Sequence, residues 1–68
     1  NKIRMLIDEL PEQQRTIIHL RDIEGYEYDE IAEITGLTEN TIRVNLSRAR
    51  KKIREAMKNR FSYDITKN

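Results

Sequence analysis

The side chains best suited to chemistry in this chain are the basic and polar ones along a predicted helix from Glu39 to about Lys58. On a helical wheel of about 100° per residue, an apolar seam collects on one side of this segment. The seam consists of Ile42, Leu46, Ala49 and Ile53. The opposite side carries Asn40, Arg43, Val44, Ser47, Arg48, Lys51 and Arg54. One face would pack on a protein core, and the other offers hydrogen-bond donors and positive charge to a nucleic acid.

Five residues in the first half of this helix have the chemistry to read base edges in a DNA major groove. They are Asn40, Arg43, Val44, Ser47 and Arg48. Arginine can donate two hydrogen bonds to guanine, asparagine can bond to adenine, and an apolar side chain can contact the methyl group of thymine. Phosphate contact, helix capping or simple solvation is the alternative for the polar members. A second set is predicted to hold phosphates: Thr38, Thr41, Arg50, Lys51 and Arg54.

A helix-turn-helix is the predicted element that positions this face. The sequence predicts a short helix from Tyr28 to Thr35, ended by Gly36, because glycine readily adopts the left-handed backbone that ends helices. Thr38 is the predicted N-cap of the long helix, since its hydroxyl can accept a backbone N–H of the first turn. The turn between the two helices is therefore only a few residues long.

Two further helices are predicted upstream. Ile3, Leu6, Ile7 and Leu10 recur with the spacing of one buried stripe, which indicates a first helix from Lys2 to Leu10. Pro11 suits the first turn of a second helix that runs to about Glu24 and buries Ile17, Leu20 and part of Ile18 and Ile23. The predicted fold is all-α, with four helices and no strands. Residues 1–58 form the domain, and residues 59–68 are predicted to be a disordered C-terminal tail.

Composition excludes several classes of site. The chain has 68 residues, no Cys and one His, so neither disulfides nor a Cys/His zinc site can stabilise it. We expect no metal and no cofactor. No apolar run approaches the roughly 18 to 20 residues that span a bilayer. We therefore expect a cytoplasmic protein with no membrane partner, and the first residue, Asn1, suggests a fragment of a longer protein.

The small net charge of +1 hides a strong asymmetry. Residues 1–38 contain four basic and nine acidic side chains, a net charge of −5, whereas residues 39–68 contain nine and three, a net charge of +6. A basic half on an acidic half suggests one surface for phosphates and another for a different partner. The alternative is a solvated basic helix end, because cations also favour a helix C-terminus.

These residues resemble a known family: the C-terminal, promoter-reading domain (region 4) of bacterial RNA polymerase sigma factors, especially the extracytoplasmic-function (ECF) class. The matching residues are Leu10-Pro11-Glu12, Arg15, Leu20-Arg21, Glu24-Gly25, Tyr28, Glu30-Ile31-Ala32-Glu33-Ile34, Gly36, Thr41-Ile42-Arg43, Leu46 and Arg48-Ala49-Arg50-Lys51-Lys52. The resemblance implies a winged-helix-like, helix-turn-helix fold that reads the −35 element of promoter duplex DNA. It also implies contact with the β flap of the RNA polymerase core, and an anti-sigma factor as a further partner.

The chain departs from the family pattern at three places. Glu27 stands where Ser commonly caps the third helix, which predicts a weaker cap. Thr35 replaces a large apolar residue before the turn, which predicts looser packing there. Val44 and Asn45 stand where Ser and a basic residue are frequent, so the promoter sequence should differ from that of relatives.

Other functions compete with sigma-type promoter recognition. A response-regulator output domain also contains a helix-turn-helix, but it would be expected to end its last helix sooner and to dimerise. A protein-interaction module held by an anti-sigma factor, or a basic helix that binds RNA or heparin, are further alternatives. We expect no enzyme activity, because four short helices without a phosphate-binding loop offer little sign of a catalytic cleft. The isolated domain is expected to be monomeric.

Overall fold

The computed structural model describes residues 2–61, with side chains to residue 60, and all regular structure in this range is helical. The helices are α1 (Lys2–Asp8), α2 (Glu12–Ile18), α3 (Tyr28–Thr35) and α4 (Glu39–Phe61). A π-helical turn (His19–Ile23) continues α2. The predicted all-α, four-helix fold is thus confirmed. Most of the predicted tail, residues 62–68, lies outside the described residues, so its disorder stays a prediction.

α1 is shorter than predicted. It ends at Asp8 rather than Leu10, because the chain tightens before Pro11. The N–H groups of Glu9 and Leu10 donate to the carbonyls of Leu6 and Ile7, three residues back, at 3.1 Å each. A proline disfavours helical backbone at the residue before it, so an α-helix could not continue through Leu10.

α2 also differs from the prediction in its last turn. The segment reaches Ile23, but it widens to π geometry after Ile18. The N–H of Glu24 donates to the carbonyl of His19, five residues back, at 3.0 Å. Gly25 then reverses the chain with a φ of 82°. This hydrogen bond to the fifth residue back makes the turn wider than the α-helix that precedes it.

The core lies between α4 and the other three helices, all of which pack against it. Its buried apolar side chains are Leu6, Ile7, Leu10, Ile17, Ile18, Ile31, Ile42, Leu46 and Ala49. The predicted seam of α4 therefore faces inward, with Ile53 partly buried at its edge. The predicted stripe of α1 is only partly correct, because Ile3 is 50% exposed at the open end of the helix.

α4 extends beyond the predicted end at Lys58 to Phe61. Arg60, in the added turn, donates hydrogen bonds to the carboxylate of Glu9, 51 residues earlier. This pair ties the end of α4 to the segment after α1. A basic residue in the last turn is also favourable beside the negative end of the helix dipole.

Candidate nucleic-acid interface

The turn that joins α3 to α4 is fixed by its own residues. Gly36 has a φ of 78°, and its N–H donates to the carbonyl of Ala32 at 2.8 Å, as the sequence predicted for a glycine that ends a helix. The Thr35 hydroxyl donates to the carbonyl of Ile31 at 2.7 Å and accepts the N–H of Leu37 at 3.2 Å. Thr35 therefore fixes the turn by hydrogen bonds, and the looser packing expected there stays a prediction.

The start of α4 is capped by Thr38, as predicted. Its hydroxyl accepts the N–H of Thr41 at 3.1 Å and donates to the Thr41 hydroxyl at 3.0 Å. The carbonyl of Thr38 accepts the N–H of Ile42 at 3.0 Å. In this part of the chain the Thr41 hydroxyl oxygen accepts from Thr38, and the Thr38 hydroxyl satisfies one N–H of the first turn. Other N–H groups at the start of α4 are therefore open to an anion.

The start of α3 is capped in a way that the sequence analysis missed. The carboxylate of Glu30 accepts the N–H of Glu27 at 2.8 Å, which is the reciprocal half of a capping box. The Asp29 carboxylate accepts the N–H of Glu30 at 2.9 Å. The predicted weak cap at Glu27 is therefore offset by two carboxylates in the first turn. The signal was in the sequence, since Glu30 lies three residues after Glu27.

The structure brings all five predicted base readers to the solvent side of α4, close to its start. We call Asn40, Arg43, Val44, Ser47 and Arg48 the recognition face. All five are exposed, and Val44 is an apolar residue with 38% exposure. Asn45, on the flank of this face, is half-buried and donates to the carbonyl of Thr41 at 2.9 Å. Its side chain amide is therefore already engaged.

The three basic residues among the predicted phosphate ligands divide into two groups. Lys51 and Arg54 are exposed with no carboxylate at ion-pair distance among residues 2–60, and the same holds for Arg48. Arg50 instead donates to both oxygens of the Asp22 carboxylate, at 2.9 and 2.5 Å. These hydrogen bonds raise the pKa of Arg50 above its ordinary value. Arg50 is thus directed toward the end of α2, and a phosphate would have to compete with Asp22 for it.

Arg43 has neighbours that the sequence analysis did not foresee. Its guanidinium carbon lies 4.9 Å from the centre of the Tyr28 ring, and a terminal nitrogen lies 3.5 Å from a carboxylate oxygen of Glu39. The Arg21 guanidinium also lies over this ring, at 4.8 Å. Arg21 and Tyr28 therefore adjoin the recognition face. No local spacing signals this contact, because the three residues belong to three different helical segments.

Two kinds of site find no support in the described part of the chain. No group of three or more His, Asp and Glu side chains among these residues could hold a metal ion. None of the helices within residues 2–61 has both the length and the apolar character needed to cross a bilayer.

Comparison with known proteins supplies independent evidence. The family model described as "Sigma-70, region 4" matches residues 1–53. The chain is 50% identical over 48 residues to RNA polymerase sigma factor SigV of Bacillus subtilis, which covers 71% of this chain and 29% of that protein. It is 45% identical over 47 residues to the ECF RNA polymerase sigma-E factor of Haemophilus influenzae, covering 69% of this chain and 25% of the relative.

A third relative, RNA polymerase sigma-H factor of Pseudomonas aeruginosa, is 36% identical over 55 residues, covering 81% of this chain and 28% of that protein. The chain therefore spans less than a third of the length of these relatives. No solved structure matches it significantly. The helix-turn-helix and the family match agree with the predicted resemblance, and the chain belongs to the sigma-70 region 4 family.

Proposed function

We propose that this chain is the promoter-recognition domain of an ECF-class sigma factor, which binds the −35 element of duplex DNA and directs RNA polymerase to initiate transcription. Membership of the region 4 family and the similarity to RNA polymerase sigma factors support this proposal. Its role is binding rather than catalysis, and it acts on DNA in the cytoplasm.

The observation that carries the proposal is the uncompensated positive charge on the outward side of α4. Arg48, Lys51 and Arg54 have no carboxylate at ion-pair distance within residues 2–60. An α-helix is about 10 to 12 Å wide and a major groove about 12 Å, so α4 can enter the groove with its recognition face toward the bases. The open N–H groups at the start of α4 would then lie near the backbone phosphates.

Roles within this interface follow from side-chain chemistry. Arg43 and Arg48 are proposed to donate to guanine, and Asn40 to bond to adenine. Val44 would contact a thymine methyl group, and Ser47 a base or a phosphate. The proposed phosphate ligands are Thr38, Thr41, Arg50, Lys51 and Arg54. Of these, Arg50 must first leave Asp22, so we expect it to contribute least.

The test begins with selection of a preferred duplex from a random pool, followed by titration with the selected duplex and its single-base-pair variants. Arg43→Ala should reduce discrimination at one base pair by about 1 to 3 kcal/mol, because a bidentate base contact is lost. Lys51→Ala should weaken binding to all duplexes alike and lower the salt slope by about 0.9.

Lys52→Ala is the matched control, since it removes the same charge from an exposed position that lies beside Leu6 and Glu9 instead of on the outward side. Its salt slope should change less than that of Lys51→Ala. If the random pool yields no preferred sequence, promoter reading is wrong and a general basic helix for RNA or heparin becomes the better explanation. Equal effects of Lys51→Ala and Lys52→Ala would place Lys51 off the DNA.

A second proposed partner is the RNA polymerase core, through the flap of its β subunit. A groove of about 430 Å³ opens between α1, the end of α2 and α4. Ile3 and Ile23 in its wall are 50% and 42% exposed, and Ile53 lies beside them. An apolar flap helix could bury these side chains. The rim carries Arg4, Arg50 and Arg54 with Asp22. It is therefore basic, although the sequence predicted a second partner surface on the acidic half of the chain.

We expect the two partners to bind together, because none of the five recognition-face residues lines the groove. Arg50 and Arg54, which are also proposed to hold phosphates, lie on its rim and are the residues that the two partners would share. Adding a flap-tip peptide to the duplex complex should give a ternary complex. Ile23→Ser should weaken binding of the peptide without weakening binding of the duplex. Mutual exclusion of peptide and duplex would contradict the two-surface arrangement and favour the response-regulator alternative. An anti-sigma factor would be a competitor for one of these surfaces.

A further inference from the structure

Four side chains from three helical segments meet beside the start of α4. Tyr28 is the first residue of α3, and the guanidinium carbons of Arg21 and Arg43 lie 4.8 and 4.9 Å from the centre of its ring. Glu39, one turn before Arg43 on α4, lies 3.5 Å from the Arg43 guanidinium. An exposed arginine that is proposed to read DNA is therefore held by a specific neighbour in the free protein.

Tyr28 is well placed to fix the position of Arg43. Its side chain is half-buried and packs against the core cluster, so the ring is held by the fold. Arg21 is anchored separately, since it donates to the carbonyl of Tyr26 at 2.8 Å and lies 3.5 Å from the Glu27 carboxylate. By contrast, the Arg43 side chain is 61% exposed. Arg43 thus has a fixed platform on one side and solvent on the other.

Stacking on an aromatic ring leaves the hydrogen-bonding edge of an arginine free. The five N–H donors of a guanidinium lie in its plane, whereas the contact with a ring uses its flat face. The Glu39 carboxylate, at 3.5 Å, is at the limit of a hydrogen bond and engages only one terminal nitrogen. A guanidinium has five N–H donors and Glu39 engages one terminal nitrogen, so Arg43 can keep its place over the Tyr28 ring and still offer donors to guanine.

We infer that Tyr28 is a positioning residue for base recognition, which holds the Arg43 guanidinium in the orientation that reads the promoter before DNA arrives. This inference rests on the proposed function. A flexible arginine loses rotational freedom when it binds a base, and a platform that has already restricted it reduces that loss. The advantage applies only where Arg43 makes its base contact, so Tyr28 contributes to discrimination rather than to general affinity.

The test compares Tyr28→Leu with Tyr28→Phe. Both retain an apolar side chain at the core edge, but only phenylalanine retains a ring face for Arg43. Each variant is titrated with the selected duplex and with the duplex substituted at the base pair where the Arg43→Ala variant loses the discrimination that the parent shows. Tyr28→Leu should lower the affinity ratio of the two duplexes about two- to fivefold, the effect of losing an exposed cation–π contact. Tyr28→Phe should preserve the ratio.

A double-mutant cycle separates positioning from a structural role. In the Arg43→Ala background, Tyr28→Leu should leave the ratio unchanged, because there is no arginine left to position. Equal weakening of both duplexes by Tyr28→Leu, or the same loss of ratio with Tyr28→Phe, would overturn the inference. If the random pool yields no preferred sequence, both the proposed function and this inference are wrong. If the parent prefers a sequence and Tyr28→Leu keeps that preference in full, only the inference is wrong.

The free protein provides a second measurement that does not depend on DNA. The side-chain protons of Arg43 should show a ring-current shift in the NMR spectrum of the parent and of Tyr28→Phe, and should lose it in Tyr28→Leu. Absence of the shift from the parent spectrum would also overturn the inference. Because it needs only the parent, this measurement can overturn the inference even if Tyr28→Leu does not fold.

Discussion

Replacement of Leu46 by alanine tests whether α4 is an integral part of the core. Leu46 is only 2% exposed and lies among the buried side chains that join α4 to α2 and α3. Buried leucine-to-alanine substitutions cost about 2 to 5 kcal/mol, from lost burial and the cavity left behind. A domain of 68 residues has a total stability of about 3 to 10 kcal/mol, at about 0.05 to 0.15 kcal/mol per residue. The loss is therefore a large share of the total.

The assay is urea unfolding followed by helical circular dichroism, with Val44→Ala as the matched control on the same helix. Val44 is 38% exposed, and alanine favours a helix slightly more than valine does, so the control should change stability by no more than about 0.5 kcal/mol. With an m-value of about 1 kcal/mol/M, Leu46→Ala should lower the midpoint by about 2 M or more, or leave the chain unfolded in water. Indistinguishable midpoints for the two variants would show that α4 is a free arm and refute the core assignment.

Three further predictions concern residues away from the recognition face. Arg50→Ala and Asp22→Ala should each lower the free energy of unfolding by at most about 1 kcal/mol, since the two side chains are 49% and 34% exposed. Because these side chains hydrogen-bond to each other, the two losses should not add in the double variant, and additive losses would contradict this. Hydrogen bonds from Arg60 hold the pKa of Glu9 below its ordinary value of 4.5, so their stabilisation is present above that pH and is lost as the pH falls through the lowered pKa. Glu9→Gln should therefore lower the unfolding midpoint at neutral pH but not in acid. A midpoint difference between the parent and Glu9→Gln that does not change with pH would show that the Arg60–Glu9 ion pair does not form. Gly36→Ala should cost about 1 to 2 kcal/mol, because a φ of 78° strains a residue with a side chain even though an added Cβ would meet no atom within 4 Å. Gly36→Asn should cost less, and equal melting temperatures of the parent and Gly36→Ala would show that the turn relaxes.

The sequence alone determined the features that depend on neighbours a few residues apart. Apolar spacing predicted the four helices and the inward seam of α4. Gly36 and Thr38 predicted the left-handed end of α3 and the cap of α4, and both appear as expected. The exposure of Arg43 and Arg48 followed from the same periodicity. Family membership was also readable at this level, because its motif residues lie mostly between Leu10 and Arg54.

Tertiary structure decided which charged side chains are free and which are engaged. Arg50 and Lys51 are adjacent and were both predicted to hold phosphates, yet Arg50 meets Asp22 28 residues away, whereas Lys51 has no ion-pair partner within residues 2–60. The contact of Arg43 with Tyr28 and the pair between Arg60 and Glu9 likewise join separate segments. Helical periodicity fixes the side of the helix on which a residue lies. The partner on that side depends on how the helices pack, which here includes the π-helical turn after Ile18 that local spacing did not reveal.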